Sequence, residues 1–300
     1  MKTKILALAF IASLLSFTAS HSQQYAFRVL VNKGKNEVKA GETWQAIKVG
    51  TNLKATDELR VTENAYMGLV HATGKPLEVK KAGKYKVADL ATKVSGGSSV
   101  VNKYTDFIIS SNTTKKNNLA ATGAVDRGTD FLLHMPLPAQ QPHIYGEKII
   151  LSWEEDKTAS PYIVSFRSLF EDELAKIETE ESQLTVDLTA STLANEDNIV
   201  VQVYSKANPA KKSRTYNLRR LSKADRERLG NALNQISQPL NEETALNKLL
   251  LASFFEENNL LIDAATAHLE AIELAPDVPA FQEGFNAFLL RNGLKASPKK

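Results

Sequence analysis

The chain contains no cysteine in 300 residues. Disulfides, thiolate metal sites, a cysteine nucleophile and lipid attachment at an N-terminal cysteine are excluded, so packing alone must hold the fold. Histidine is scarce. His21, His71, His134, His143 and His268 are too far apart in sequence to form a local metal pair. The metalloprotease pattern His-Glu-x-x-His, the serine elbow Gly-x-Ser-x-Gly and an EF-hand calcium loop are all missing. Ser95-Gly96-Gly97-Ser98-Ser99 lacks the Gly-Lys-Ser/Thr ending and the preceding apolar strand of a phosphate loop. The acidic clusters Glu154-Glu155-Asp156, Glu171-Asp172-Glu173 and Glu178 to Glu181 adjoin predicted turns, where solvated carboxylates are the plainer reading than paired catalytic acids. No catalytic constellation, metal site or cofactor site emerges.

Only one long apolar run exists, Ile5 to Phe17, with Lys2 and Lys4 before it and the small residues Thr18, Ala19, Ser20 and Ser22 after it. This is the pattern of a secretory signal peptide over 1–22, cut after Ser22 or Ser20, and the run is too short for a stable membrane span. Export to a bacterial periplasm or to the outside is the expected destination, because a cysteine-free exported chain suits a bacterium better than a eukaryotic secretory route. Without Lys2 and Lys4 the formal charge of +3 falls to about +1, too balanced to call for nucleic acid.

From Tyr25 to about Leu90, glycines at 34, 41, 50, 74 and 83 punctuate short strand-like runs: AFRVLV, EVKAG, WQAIKVG, DELRVT, AYMGLVHATG, LEVKKAG and YKVADL. That spacing predicts a small antiparallel barrel or sandwich over 23–94. Trp44, Val49-Gly50, Leu53, Asp57, Leu59, Val61, Asn64-Ala65 and Gly68-Leu69 make Glu37–Leu69 resemble the extracytoplasmic β-domain of FecR-like regulators. The resemblance implies fold and location. It does not imply sigma-factor control, since a signal peptide occupies the end where those regulators carry their sigma-binding segment.

Residues 95–130 read as a helix from about Ser99 to Ser110, with Val100, Val101, Tyr104, Phe107 and Ile108 at helical spacing, followed by a polar linker. Over 131–221 strands return: Lys148–Trp153, Tyr162–Arg167, Gln183–Leu188, Asn198–Ser205 and Arg214–Leu218, with Phe170–Lys176 (FEDELAK) as a loop or short helical turn. The order of a proline-rich lead-in, a Leu151-x-Trp153 strand, a Tyr162-x-Val164 strand and Ile199–Tyr204 resembles an immunoglobulin-like or fibronectin type III sandwich.

From 222 to 294 the pattern is helical. Ser222 with Asp225 reads as a cap, Pro239 ends the first helix, and Asn241 begins a second with Glu242 and Glu243 in its first turn. A third helix spans about Leu261 to Leu274, and a fourth about Pro279 to Asn292 with Gly293 as C-cap. Leu251-Ala252, Phe255, Ala264, Ala271 and Pro276 make Ala245–Val278 resemble one tetratricopeptide (TPR) repeat, a helical hairpin used mainly for protein contact. Lys248 and His268 stand where that repeat has aromatics. The tail 295–300 has no pattern.

Charge is unevenly placed. Lys211–Arg228 holds eight basic and two acidic residues, whereas Glu242–Glu283 holds nine acidic residues against Lys248 alone. The basic segment is expected to pack against the acidic helices or to steer a partner towards them. The composite expectation is a multidomain chain, β then α: small β-barrel or sandwich, immunoglobulin-like sandwich, TPR-like bundle. Its expected role is non-catalytic protein interaction or scaffolding in the cell envelope, with an envelope protein or peptide as partner and Lys248, Phe255, His268, Arg219, Arg220, Arg226 and Arg228 as candidate contacts. A hydrolase acting on envelope glycan or peptide, and a sensory ectodomain, are the alternatives.

Overall fold

The computed structural model describes residues 25–94, 96–113, 133–138, 140 and 142–294. The expected leader 1–22, most of the expected polar linker and the tail 295–300 lie outside the described residues. Strands come first and helices last, as the patterning predicts.

The first eight strands are β1 (Phe27–Lys33), β2 (Glu37–Ala40), β3 (Thr43–Ala46), β4 (Asn52–Leu53), β5 (Glu58–Val61), β6 (Tyr66–His71), β7 (Pro76–Val79) and β8 (Gly83–Lys86). They form two antiparallel sheets, ordered β4-β1-β6-β7 and β3-β2-β5-β8. The described strands close no barrel, which corrects that half of the expectation. The end of YKVADL is also corrected: Val87–Ala91 is a short helix, α1, whose Val87 N–H donates to the Asp57 carbonyl at 3.0 Å.

Two strands carry apolar residues on both faces, and they join the two ends of the chain. In β6, Met67 and Leu69 enter the core of the β-region, while Tyr66 and Val70 enter a second core shared with the helices. In β1 a bulge between Val29 and Val31 does the same: Phe27 and Val29 turn inward, Leu30 and Val31 outward. The unbroken apolar run Tyr66–Val70 is what a strand buried on both faces requires.

Helix α2 (Val100–Thr113) buries Val101, Tyr104, Thr105 and Ile108, one stripe at helical spacing. Ahead of it, the Gly96-Gly97 stretch packs on the β6–β7 turn. A Cβ on Gly74 (φ +89°) would sit 1.9 Å from the Ser98 carbonyl oxygen, so only glycine permits that approach.

The next strands are β9 (His143–Ile144), β10 (Lys148–Ser152), β11 (Tyr162–Arg167), β12 (Glu173–Thr179), β13 (Gln183–Asp187), β14 (Asn198–Ser205) and β15 (Tyr216–Arg220). A five-stranded sheet, β12-β11-β14-β15-β9, faces the pair β10-β13. Their core joins Ile149, Leu151 and Val186 to Val164, Phe166, Val201 and Val203. Trp153 packs edge-on against Tyr162 at 5.4 Å. The FEDELAK expectation is corrected: Glu173–Thr179 is a strand paired along β11. Its Leu174, Ala175 and Ile177 pack on the sandwich core, and that burial outweighs the helix preference of its Glu, Ala and Lys residues.

Four helices follow: α3 (Lys223–Ser237), α4 (Ala245–Glu257), α5 (Leu261–Leu274) and α6 (Pro279–Arg291). Ser222 caps α3, its Oγ accepting the Asp225 N–H at 3.1 Å. Helix α4 starts later than expected. Thr244, not Asn241, is its N-cap, with Oγ1 accepting the Asn247 N–H at 3.2 Å, so Glu242 and Glu243 precede the helix. Gly293 adopts φ +65° just past α6, and the following Leu294 N–H reaches the Leu289 carbonyl at 2.8 Å.

Helix α5 is the hub. Ile262 through Ala267 and His268 are all buried, a run surrounded on every side. Ala264 and Ala271, with Ala252 of α4, are fully buried and let backbones approach. On its other side α5 docks on β10: Thr266 Oγ1 accepts the Ile150 N–H at 2.9 Å, and Ile262 enters the sandwich core. The helical hairpin therefore leans on both β-regions.

Candidate functional site

The charged side chains of the helices are largely spoken for within the chain. Lys248, at the start of α4, pairs with Glu270 of α5 at 2.8 Å and sits near Glu243 at 3.9 Å. Arg291 donates from Nε and Nη2 to the two carboxylate oxygens of Glu256, at 3.0 and 2.8 Å. Lys33 of β1 pairs with Asp277, and Lys103 of α2 with Glu257. Cations outside 211–228 thus meet much of the acidic helical surface.

The four candidate arginines diverge. Arg220 lies along the loop after β13, donating to the carbonyls of Glu196 (2.9 Å), Leu188 (2.7 Å) and Leu193 (3.1 Å). Arg226 lies over the Tyr145 ring at 5.1 Å and is the connector cation whose charge acts on α5, at Asp263. Arg228 pairs with Asp225 at 3.1 Å in its own helix. Arg219 is exposed on β15. Phe255 is half-buried between Phe254 (5.4 Å) and Tyr145 (6.2 Å). The structure does not gather these seven residues into one surface.

Asp263, which sequence reasoning passed over, is 4% exposed in the first turn of α5. Its oxygens accept the Tyr145 N–H at 3.0 Å and the Gly146 N–H at 2.6 Å. Burial pushes its pKa up to about 6, against those two amide bonds and the charge of Arg226. Both carboxylate oxygens are engaged, so the residue clamps the β9–β10 loop.

His268 is different. It packs against Phe285 (5.8 Å) and Phe288 (5.1 Å), is 3% exposed, and neither ring nitrogen has a hydrogen-bond partner among the described residues. Burial, with the charge of Arg291, brings its pKa down to about 3, so the imidazole is neutral at ordinary pH and a weak proton acceptor. It lines a groove of about 210 Å³ between β1, α2, α4 and α6, whose walls include Leu30, Phe107, Ile108, Leu249, Gly284 and Arg291. Ser253 lines it too, with its hydroxyl donated to the Leu249 carbonyl at 3.2 Å. This arrangement has the materials for holding an uncharged group.

A second feature lies at the β11–β12 turn. Leu169 and Phe170 are 52% and 89% exposed. The turn beneath them is tightly bonded. Ser168 Oγ accepts the Phe170 N–H at 3.0 Å and the Asp172 N–H at 3.2 Å, and donates to the Asp172 carboxylate at 3.0 Å. Arg167 pairs with Glu171 across the turn. The strand leaving the turn, β12, is the last in its sheet, so one long edge carries no strand partner among the described residues. The available signal was a Leu-Phe pair set into an acidic turn, where a large apolar residue has no local reason to be.

No protein-family model matches the chain, and no curated protein matches it. Among the described residues, no helix is long and apolar enough to cross a membrane.

Proposed function

We propose that this chain is a non-catalytic interaction protein of the bacterial cell envelope, exported on the leader 1–22. Its sandwich would be immunoglobulin-like, its N-terminal sheets FecR-like and its helical hairpin TPR-like. The hairpin serves here as an internal brace, since its faces are packed on the rest of the chain. The partner surface is the Leu169–Phe170 tip with the free edge of β12.

The observation that carries this reading is the exposure of Phe170 on a turn whose backbone is already ordered. A rigid aromatic anchor binds with little conformational cost, and such anchors dominate protein interfaces. The free edge of β12 adds main-chain donors and acceptors for a partner strand. Charge specifies the partner: residues 167–181 hold six acidic and two basic residues, which favours an apolar pocket rimmed by Lys or Arg on another protein over an anionic lipid surface.

The test compares the native chain with the double variant Leu169→Ser, Phe170→Ser in envelope extract. The expected result is loss of one specific, salt-sensitive partner with the melting temperature unchanged. An identical set of partners for both proteins would overturn the reading.

A further inference from the structure

We infer that the open side of the sandwich takes one extended segment of a partner protein, paired as an added strand along β12, with apolar residues facing inward and the outward order basic, acidic, basic. The inference rests on the interaction reading above, whose surface includes this edge, and names the chain segment that the edge fits.

Unfinished burial marks the place. β12 and β13 each end their sheet, and residues 180–182 join them. On the opposite side of the sandwich, Thr266 of α5 takes up the Ile150 N–H at the edge of β10. In β11, Val164 and Phe166 are fully buried between neighbours on both sides: Val203 and Val201 of β14, and Ile177 and Ala175 of β12. Ile177 and Ala175 are only half-buried, because among the described residues no strand lies beyond them. Leu174, and Leu184 of β13, pack on the same core and are half-buried too. A strand added at β12 sets its inward side chains beside Ile177 and Ala175, and cross-strand apolar pairs of this kind stabilise a sheet.

Charge sets the other face. Pairing with Ser165 and Ile163 places Lys176 and Glu178 away from the core, and Glu173, past the bulge, stands opposite Arg167. Opposite charges across a strand pair attract and like charges repel. The acid-base-acid order of Glu173, Lys176 and Glu178 therefore fits a base, an acid and a base. These side chains are held now in exposed pairs, Lys176 with Glu173 and Glu178 with Lys206, which cost little to exchange. A second copy of β12 fits less well. The antiparallel register that sets Lys176 across from Glu178 also brings Glu173 towards the other copy's Glu180 and Glu181.

The experiment titrates the full chain with the blocked peptide Val-Lys-Val-Glu-Val-Lys-Val by calorimetry and follows amide exchange in β12 by NMR. Saturable binding is expected, with new protection of alternate amides between Glu173 and Thr179, those that point to the free edge. The peptide Val-Lys-Val-Lys-Val-Lys-Val carries more positive charge but sets a base across from Lys176, so it should bind about 5-fold more weakly. In Lys176→Glu the order of the two peptides should reverse. The Leu169→Ser, Phe170→Ser variant should bind the first peptide like the native chain. Peptide binding with no partner lost on changing the tip sustains this inference and sinks the tip; a partner lost with the tip and no peptide binding does the reverse. Equal binding of the two peptides by the native chain, or binding without protection of β12, would also overturn the inference. So would dimerisation of the free chain with those amides already protected, which assigns the edge to a second copy.

Discussion

Leu246 occupies the space that a side chain at Gly68 would need. A Cβ built on Gly68 meets Leu246 Cδ1 at 3.0 Å and Val31 Cβ at 3.2 Å. Gly68 lies between Tyr66 and Val70 on the helix-facing side of β6, and Leu246 is fully buried at the start of α4. The same helix end is tied by its Leu246 N–H, which donates to Glu78 Oε1 at 3.0 Å. Burial pushes the Glu78 pKa up, but Lys80, the Tyr66 hydroxyl and this amide outweigh it and hold the carboxylate below its usual range.

Gly68→Ala should therefore destabilise the chain by about 1–3 kcal/mol, the usual cost of an added methyl in a filled core. Leu246→Ala alone should cost about 2–5 kcal/mol. In the double variant the two losses should fall short of additive, because each relieves the crowding or the cavity left by the other. Urea unfolding of the four proteins measures the coupling, and strict additivity would mean that the two residues do not meet.

Replacing His268 by Leu should stabilise the chain by about 1–2 kcal/mol at pH 7, since it removes two buried nitrogens without partners. The gain should widen on acidification. The unfolded imidazole takes up a proton below its ordinary value of 6.5, whereas the folded one, shielded by burial and facing Arg291, does so only near 3. The unfolded state thus binds more protons in that window, and the native chain loses stability as pH falls through it, by at most about 1.4 kcal/mol per pH unit relative to the variant. Denaturation midpoints between pH 7 and 4 decide this, and a constant difference would refute it.

Asp263→Ala should cost about 2–4 kcal/mol, because the Tyr145 and Gly146 amides lose their acceptors. Its pH dependence has the opposite sign to that of His268. With a folded pKa raised to about 6 above the ordinary 3.8, Asp263 binds its proton first in the folded chain, so its contribution grows more favourable as pH falls from 6 towards 4. Hydrogen exchange at Tyr145 and Gly146 should report the local loosening in the variant.

Among the arginines, Arg220→Ala should be the costly change, by about 1.5–3 kcal/mol, since three carbonyls lose a charged donor. Arg219→Ala and Arg228→Ala should stay within about 0.5 kcal/mol, one exposed and one in an exposed pair within its own helix. Thermal melts of the three single variants provide the comparison.

Local patterns carried most of the element types. The span of α5 agrees with its apolar spacing, and the Ser222 cap with its Asp225 partner, because both depend on residues within one or two turns. The strand at Glu173–Thr179 was hidden because its sequence, ELAKIET, favours a helix when taken alone, and only pairing with β11 overrides it. Of the candidate site, His268 was visible as an odd residue in an aromatic position. Its orphaned nitrogens were not, because Phe285, Phe288 and Gly284 reach it from another helix. The pairing of Lys248 with Glu270 and of Arg220 with three carbonyls was not legible, since those partners lie 22 or more residues away.

By itself the sequence determined that no thiol chemistry occurs, that strands precede helices, and that Ala252, Ala264 and Ala271 permit close helix contact, since these follow from composition and short-range periodicity. The tertiary structure decided what those surfaces meet. It packed the helical hairpin between two β-regions, enclosed an imidazole with no hydrogen-bond partner among the described residues, and left Phe170 exposed. Burial is a property of distant segments brought together, and no window along the chain contains it.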